Sequence, residues 1–332
     1  MLNEKEVDFV KNTSFLVTGG AGFIGSNIAH FLSQVPAKKI RVLDDLSTGN
    51  YENIRELHEK GKIEFIKGDI RNAEICRNAC KDIDVILHHA ALGSVQRSII
   101  DPFATNEVNI SGFLNMLVAA KENKAARFVY ASSSSVYGDD PNMPKREQQT
   151  GNLLSPYAVT KKSNEEYAKV FSSLHGLPCV GLRYFNVFGP FQSVNGPYAA
   201  VIPLFIEAMT SGLPAKIYGD GENTRDFTYV DNVILANILA AMAELREIKS
   251  PIINIAFGGT TSLNKLHEIL SGYTGNKLPP VYEPFRKGDI RDSFADISRA
   301  KELIGYRSRV AIEEGLEKTT AWFLEKKKLS ST

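Results

Sequence analysis

The sequence is poor in several residue types, and each scarcity excludes a class of protein. Its 332 residues include only three cysteines, Cys76, Cys80 and Cys179, and six histidines that form no ligand cluster. We therefore expect no disulfide framework and no metal site, and we interpret the cysteines as reduced thiols of a cytoplasmic protein. No segment approaches the roughly 18 consecutive apolar residues of a membrane span. The net charge of +1 gives no electrostatic reason to expect nucleic acid or an anionic membrane as a partner.

A glycine-rich segment near the start of the chain has the spacing of a phosphate-binding turn. Residues Thr18–Gly25 follow an apolar run that predicts a buried strand, and they open a stretch of helical periodicity. Gly19, Gly22 and Gly25 fit one glycine spacing, and Gly20 begins the alternative G-x-G-x-x-G. A glycine match alone is weak. A strand, a glycine turn and a helix in this order, however, predict a site where the helix N-terminus binds a pyrophosphate.

Asp44 ends the next predicted strand, Ile40–Leu43. An acid at this distance from the glycines can accept hydrogen bonds from the adenosine ribose. Because its negative charge would repel a 2′-phosphate, we expect NAD rather than NADP. The alternative interpretation is an ordinary aspartate of the turn Asp44–Ser47.

Tyr157 and Lys161 lie one turn apart in a predicted helix, behind the serine run Ser132–Ser135. Side chains at i and i+4 point the same way, so the ammonium group favours the phenolate and lowers the pKa of the tyrosine. A serine hydroxyl nearby could hold a substrate oxygen on the path of proton transfer. Tyr-x-x-x-Lys is also a common accident on solvated helices. The glycine turn upstream is what favours a catalytic role.

Short apolar runs alternate with helical stretches through the first half of the chain. This pattern predicts an α/β fold with a Rossmann-type, doubly wound parallel sheet. The predicted strands are Phe15–Val17, Ile40–Leu43, Ile63–Ile66, Val85–Leu87, Phe128–Tyr130 and Cys179–Leu182. Such sheets bind ligands beyond the carboxyl ends of their strands, which is where the motifs above fall.

The pattern changes after Phe185, where Gly, Pro and short polar turns become frequent. We predict an NAD-binding Rossmann domain over residues 1–185, with return segments near residues 225–258. A smaller α/β lobe, which binds most of the substrate, is predicted over residues 186–332. Within it, a turn-rich loop from Phe188 to Pro197 precedes a helix from about Val201 to Ser211.

Together these motifs resemble those of extended short-chain dehydrogenases/reductases that act on nucleotide sugars. The resemblance covers nearly the whole chain and rests on the glycine turn, the serine run, Tyr157-x-x-x-Lys161, Arg183–Gly189 and Arg225–Phe227. Within that family the sequence is most similar to UDP-N-acetylglucosamine 4-epimerases. That closer similarity lies in Ala91–Val95, Tyr198–Pro203 and the polar N-terminal extension.

The resemblance implies a catalytic role for each member of the site. Tyr157 takes the proton from the sugar O4 while a hydride passes from C4 to NAD, and Lys161 holds the nicotinamide ribose and lowers the tyrosine pKa. Ser133 positions the 4-oxygen, and its neighbours Ser134 and Ser135 could share that role. The 4-keto sugar then turns over in the pocket and regains the hydride on its other face, so NAD is recycled.

The resemblance also implies two sets of binding residues. Those expected to face NAD or support its loop, besides Tyr157 and Lys161, are Gly19, Gly22, Phe23, Ile24, Gly25, Asp44, Asp69, Ile70, Ala90, Ala91 and Asn109. Those expected to face the UDP-sugar are Gly93, Ser94, Ser133, Asn186, Gln192, Ala200, Tyr218, Arg225, Arg286, Asp289 and Ser293. The guanidinium groups of Arg225 and Arg286 suit a diphosphate, although both side chains would also fit surface or interdomain salt bridges.

Ser293 matches the place where relatives carry tyrosine or a smaller residue. A serine there, with Gly93 on the other wall, leaves room for an N-acetyl group, so we expect conversion of UDP-GlcNAc to UDP-GalNAc. Ser133 is not followed by the Asp-Glu pair of 4,6-dehydratases, which favours hydride return over elimination.

Two other functions stay open at this point. A UDP-hexuronic acid or UDP-HexNAcA 4-epimerase would have the same mechanism, and Arg97 would then pair with the uronate carboxylate instead of only with the pyrophosphate. A catalytically idle NAD-binding protein is disfavoured, because idle relatives usually lose the tyrosine or the lysine.

The family commonly forms homodimers through two helices per subunit, which correspond here to roughly Thr105–Asn123 and Pro156–His175. The first of these carries apolar residues that fit either a dimer face or packing on the sheet, namely Val108, Leu114, Leu117 and Val118. The sequence leaves both interpretations open.

Overall fold

The centre of the molecule is a seven-stranded sheet in which all neighbouring strands are parallel. The computed structural model describes residues 2–194, 199–245, 250–285 and 291–330. The strands are β1 (Ser14–Thr18), β2 (Lys39–Asp44), β3 (Glu64–Lys67), β4 (Val85–His88), β5 (Arg127–Ser133), β6 (Cys179–Tyr184) and β11 (Ile252–Ile255), in the spatial order 11-6-5-4-1-2-3. The predicted doubly wound α/β fold is confirmed, and β11 is a strand that the apolar runs did not predict.

The inner strands are buried on both faces, which is why they read as continuous apolar runs. Every residue of β1 and β6 is buried. Phe15 and Val17 pack into the apolar cluster on one face, and Leu16 between them packs into the cluster on the other. The period-two alternation of a strand therefore feeds two separate cores.

Helices cover both faces of the sheet. One face carries α1 (Glu4–Lys11), α2 (Phe23–Gln34), α3 (Arg55–Glu59), α10 (Val230–Met242) and α12 (Ser298–Ile304). The other carries α4 (Ala73–Ala79), α7 (Phe113–Glu122) and α8 (Pro156–His175). The short helices α5 (Val95–Ile100) and α6 (Pro102–Asn106) lead through a π-helical turn, Glu107–Gly112, into α7.

The C-terminal part of the chain adds a lobe with its own apolar cluster. Its helices are α9 (Val201–Thr210), α11 (Leu263–Thr274) and α13 (Ile312–Ser330), and the first confirms the helix predicted there. Its small sheets join β7 (Val187–Phe188) to β10 (Thr228–Tyr229), β8 (Lys216–Tyr218) to β13 (Val281–Glu283), and β9 (Thr224–Arg225) to both β12 (Thr261–Ser262) and β14 (Asp292–Ser293). The two domain boundaries stay a prediction.

Candidate active site

The start of α8 is fixed by its local sequence. The Ser155 side chain caps the helix by accepting a hydrogen bond from the Ala158 amide, and Pro156 occupies the first turn, where its missing N–H costs nothing. The Tyr157 amide donates to Ser98 Oγ at 3.0 Å. Tyr157 therefore sits in a rigid first turn, tied to α5.

Tyr157, Lys161 and Ser133 come together at the carboxyl end of β5. Lys161 Nζ donates to the Ala131 carbonyl at 2.8 Å and lies 5.8 Å from the centre of the Tyr157 ring. Burial lowers the pKa of Lys161 to about 8, so its ammonium form still dominates at neutral pH.

The pKa of Tyr157 differs from the sequence expectation, which was a lowering by Lys161. Burial raises the pKa of Tyr157, and the hydrogen bond from Ser133 opposes that rise. The Lys161 ammonium group donates to the strand carbonyl of Ala131, and it does not offset the burial of the phenol. Desolvation of the phenolate is then the larger effect.

A cavity of about 490 Å³ joins this group to the glycine turn. Its size lies in the usual range of small-molecule sites. The predicted site residues that line it are Gly19, Gly22, Phe23, Ile24, Gly25, Asp44, Ile70, Ala90, Ala91, Gly93, Ser133, Ser134, Tyr157, Lys161 and Asn186. Residues far apart in the sequence therefore meet because the strands that carry them end side by side.

The glycine turn is packed too closely for side chains. A Cβ built on Gly19, where φ is +66°, would lie 2.7 Å from the Ala90 amide nitrogen. A Cβ on Gly25 would lie 2.2 Å from the Gly19 carbonyl oxygen. Gly22 precedes α2 without a side-chain cap, so the first amides of that helix can bind an anion.

Asp44 ends β2 beside this turn and is buried. Its two carboxylate oxygens accept hydrogen bonds from the Ala21 amide at 2.9 Å and the Leu46 amide at 2.8 Å. Burial raises the pKa of Asp44, and these amides oppose the rise. The carboxylate thus braces the loop, and it also lines the cavity.

Two residues predicted for the cofactor set contact protein instead of lining the cavity. Asp69 pairs with Arg71 at 2.6 Å, and that side chain lowers the pKa of the carboxyl group. Asn109, in the π-helical turn, bonds both the amide and the carbonyl of Leu92 and reaches Thr160 at 3.1 Å. Asn109 therefore supports the loop after β4, and its role toward NAD stays a prediction.

Six of the predicted sugar-binding residues that the structure describes are not among those that line the cavity. Ser94 caps α5, and Gln192 donates to the Val187 carbonyl at 3.2 Å. Ala200 precedes α9 and Tyr218 ends β8. In the lobe, Arg225 and Ser293 are partners in neighbouring strands, and Arg225 Nη1 donates to the Arg291 carbonyl at 2.9 Å.

Three further positions named from the sequence, Tyr198, Arg286 and Asp289, lie outside the described residues. The sugar-facing set is thus only partly placed. Asn186 lines the cavity and donates through Nδ2 to the Asp226 carbonyl at 3.1 Å.

The cavity also has lining residues that the sequence reasoning did not assign to it, among them Ser47, Thr48, Tyr184 and Phe191. His89, directly after β4, lines it as well. The rings of His89 and Tyr184 are stacked, with Nε2 and the phenol oxygen 3.0 Å apart, and burial lowers the pKa of His89 to about 4. The position of Ser47 directly after Asp44–Leu46 was a signal that could have indicated its place. Phe191 gave no such signal.

Residues 15–256 match the family model described as "NAD dependent epimerase/dehydratase family". The chain belongs to this family. Its dependence on NAD fits the close backbone approach at Gly19 and Gly25, the uncapped start of α2 and the Asp44 carboxylate.

Similar proteins of the family act on different sugars. A solved UDP-N-acetylglucosamine 4-epimerase of Methanobrevibacter ruminantium, in complex with UDP-N-acetylmuramic acid, is 41% identical, with a TM-score of 0.89 over 95% of this chain and 99% of that one. A UDP-glucose 4-epimerase of Mycolicibacterium smegmatis is 37% identical over 94% of this chain and 98% of its own. A UDP-glucuronate 4-epimerase of Thermodesulfobacterium geofontis is 34% identical over 94% and 96%.

The other expectations concern metals, thiols and membranes. Burial raises the pKa of Cys76, Cys80 and Cys179 to about 12, which makes these thiols unreactive. In the four described ranges, no group of three His, Cys, Asp or Glu side chains has the geometry of a metal site. Within those same ranges, every helix is too short or too polar to cross a bilayer.

Proposed function

We propose that this chain is an NAD-dependent UDP-sugar 4-epimerase that interconverts UDP-N-acetylglucosamine and UDP-N-acetylgalactosamine. The observation that carries the proposal is the presence of Tyr157, Lys161 and Ser133 in one cavity with the glycine turn. A positioned proton-transfer group beside a dinucleotide site is what reversible oxidation of a carbinol requires. Membership of the family and the 41% identity to a UDP-N-acetylglucosamine 4-epimerase support it.

The chain's own residues handle the proton and the orientation of the sugar. When bound, NAD would accept a hydride from C4 and return it. The Tyr157 oxygen can act as a base only as the phenolate, a form that burial disfavours and the Ser133 hydrogen bond favours. In that form it takes the proton of the 4-hydroxyl, and it gives the proton back after the sugar ring has turned. The Ser133 hydroxyl, which is close enough to Tyr157 to affect its pKa, holds the 4-oxygen in line, and Ser134 stands beside it. Lys161 supplies a positive charge close to the phenol.

For the sugar, we propose that small residues at two positions admit the N-acetyl group. A Cβ built on Gly93 meets no heavy atom within 4 Å. Ser293 lies opposite Arg225 in the small sheet of the lobe, and its short side chain would leave the 2-substituent of a bound sugar uncrowded. The diphosphate would then be bound by Arg225, together with Arg286.

A 4-epimerase of UDP-hexuronic acids or of UDP-HexNAcA is the second candidate. It is favoured by the 34% identity to a UDP-glucuronate 4-epimerase. Arg97 lies on α5, directly after the Gly93–Ser94 loop, and its guanidinium group suits a carboxylate on C6.

We also infer that two copies of the chain associate through α5, α6 and α8, which contact one another. Ile100 is 73%, Phe103 82% and Leu174 72% exposed, and apolar side chains this open on adjoining helices are typical of an interface. This face includes α8, which is the Pro156–His175 helix considered from the sequence, together with α5 and α6. Leu117 is wholly buried in the core of its own subunit, and Val108 packs against that core.

We also propose which part of the chain binds each ligand and in which compartment the protein works. We expect residues 1–185, with the return segments, to hold NAD, and residues 186–332 to hold most of the UDP-sugar. The return of β11 to the main sheet supports the first part. The three reduced, buried thiols support a cytoplasmic setting.

The direct experiment is to incubate the purified protein separately with UDP-GlcNAc, UDP-glucose and UDP-GlcNAcA and to resolve the products. We expect UDP-GlcNAc and UDP-GalNAc to interconvert fastest, without accumulation of NADH. Fastest turnover of UDP-GlcNAcA would establish the second candidate, and unchanged stereochemistry of all three sugars would refute both. Tyr157→Phe separates an enzyme from an idle NAD-binding protein, since it should keep NAD and lose the activity.

A further inference from the structure

Glu165 lies one turn beyond Lys161 on α8, and its carboxylate is buried. The side chain is only 2% exposed. Oε1 accepts hydrogen bonds from Ser132 Oγ at 2.7 Å and Arg183 Nε at 2.8 Å. Oε2 accepts hydrogen bonds from Arg183 Nη2 at 2.9 Å and, at 3.4 Å, from the half-exposed Lys162 Nζ. Burial would raise the pKa of Glu165, but Arg183 outweighs it and holds that pKa below its usual range. The three residues thus form an ionised, buried network, the Ser132–Glu165–Arg183 network.

This network continues the contacts made by the catalytic turn of α8. Tyr157, Lys161 and Glu165 are spaced four residues apart, so they lie on one face of the helix. Lys161 bonds the carbonyl of Ala131, and Glu165 bonds the side chain of Ser132. Tyr157 meets the hydroxyl of the next residue of the strand, Ser133. Three successive residues of β5 are therefore tied to three successive turns of α8.

Arg183 is itself held firmly, so it can act as an anchor. Its guanidinium group lies over the Tyr137 ring at 4.9 Å, and Nη1 donates to the Glu147 carbonyl at 3.3 Å. The Tyr137 hydroxyl donates to Asn254 Oδ1 at 2.6 Å. The network consequently connects β5, β6 and α8 to the edge strand β11.

Stability alone is a poor reason for such a network. Two charges removed from water repay their desolvation only with good geometry, and apolar packing of the same volume commonly does as well. A bidentate guanidinium–carboxylate pair does, however, define the distance and angle between the elements it joins. That property matters where a hydroxyl and a phenol must share one substrate oxygen.

We propose that Ser132 and Glu165 are positioning residues, which fix the end of β5 against α8 and so set the Ser133 hydroxyl relative to the Tyr157 oxygen. The inference rests on the proposed function. Ser132 also lines the cavity, but neither residue is assigned a contact with substrate or cofactor. It concerns only the geometry in which the two catalytic oxygens meet the sugar.

The test compares Ser132→Ala with a matched control at the other end of the sheet. Ser14 is also buried, and its Oγ donates to Asp84 Oδ2 at 2.6 Å, but it begins β1 far from the cavity. We expect both variants to lose similar thermal stability. Only Ser132→Ala should lose kcat, by about ten- to a hundredfold for a displacement of the order of 1 Å, with KM for the UDP-sugar and bound NAD unchanged. Ser132→Thr, which keeps the hydroxyl, should restore most of kcat.

Glu165→Gln extends the test by a double-variant cycle. If the two residues act as one unit, the Ser132→Ala/Glu165→Gln protein should lose no more kcat than the worse single variant. Equal kcat losses in Ser132→Ala and Ser14→Ala, or a kcat of Ser132→Ala within about twofold of wild type, would overturn the proposal.

Crystal structures of the two alanine variants give the same answer without turnover. We expect Ser133 to move relative to Tyr157 in Ser132→Ala and to stay in place in Ser14→Ala. An unmoved Ser133 in both would refute the positioning role. Inactivity of the wild-type protein on every UDP-sugar would refute the proposed function instead, so the two failures are distinguishable.

Discussion

Gly25→Ala should weaken NAD binding through a collision at one backbone atom. The new Cβ would lie 2.2 Å from the Gly19 carbonyl oxygen, more than 1 Å short of the 3.4 Å of an ordinary contact, and 2.7 Å from Gly20 Cα. The same carbonyl accepts the Gly22 amide at 3.1 Å, so it cannot retreat without opening the turn. Because both neighbours are backbone, no side-chain rotation relieves the overlap.

The expected magnitude follows from the cost of overpacking, which is about 1–3 kcal/mol. If the overlap destabilises only the closed turn that binds NAD, this cost is subtracted from the free energy of NAD binding. The Kd for NAD then rises by about five- to 150-fold. Calorimetric titration of NAD into cofactor-stripped protein measures this directly.

Gly272→Ala is the matched control, because a Cβ on Gly272 meets no heavy atom within 4 Å. It lies inside α11, so alanine should stabilise the protein by about 0.5–1 kcal/mol and leave NAD binding unchanged. A folded Gly25→Ala protein that binds NAD as tightly as Gly272→Ala would refute the idea that the turn needs a bare backbone at this position.

Three further perturbations test the sugar, the lysine and the dimer. Ser293→Tyr should lower kcat/KM for UDP-GlcNAc relative to UDP-glucose by about tenfold or more, and an unchanged ratio in a two-substrate assay would contradict the steric account. Lys161→Met should abolish most activity yet raise the Tm of the NAD-free protein at pH 7, because burial lowers the pKa of Lys161 from 10.5 to about 8. Below pH 8 the ammonium group is buried in the folded protein and lowers its stability, and this destabilisation disappears as the pH rises toward 10.5. The gain in Tm should therefore shrink between pH 8 and pH 10.5. A gain that does not depend on pH would argue against this cause. Phe103→Glu should convert a dimer to a monomer in light scattering without loss of fold, because Phe103 is 82% exposed in the single chain; a dimer that survives the change would exclude this face.

The main sheet was largely predictable because its strands are covered on both sides and so appear as apolar runs. The missing strand, β11, shows the limit of that reasoning. Ile252–Ile255 lies within the return segments predicted near residues 225–258, but nothing local states that it is a strand, or that it pairs with β6, which ended at Tyr184. The partner of a strand is a property of the whole chain.

The helix α1 was missed although its signal was present. Asn3 and Glu6 form a reciprocal capping box, and the N-x-x-E spacing can be read from the sequence.

The cofactor end of the candidate site was easier to foresee than the sugar end. Glycine turns have a local sequence pattern, so Gly19, Gly22 and Gly25 could be placed before any coordinates. The lobe residues Arg225 and Ser293 are brought together by a two-residue strand pair, which leaves almost no periodicity in the sequence. The raised pKa of Tyr157 was likewise beyond sequence reasoning, because it depends on burial and on which carbonyl holds Lys161.

The late arrival of α10 and β11 has a consequence for synthesis on the ribosome. Until residues near 255 have left the exit tunnel, β6 has an unpaired edge and one face of the sheet lacks the nearly all-apolar α10. A nascent chain paused at about residue 190 would therefore expose the unpaired edge of β6 and the apolar sheet face that α10 later covers. It would do so although it already contains every catalytic side chain. A chain truncated shortly after Tyr157 and Lys161 should therefore aggregate or be degraded, and it should not form a smaller active enzyme.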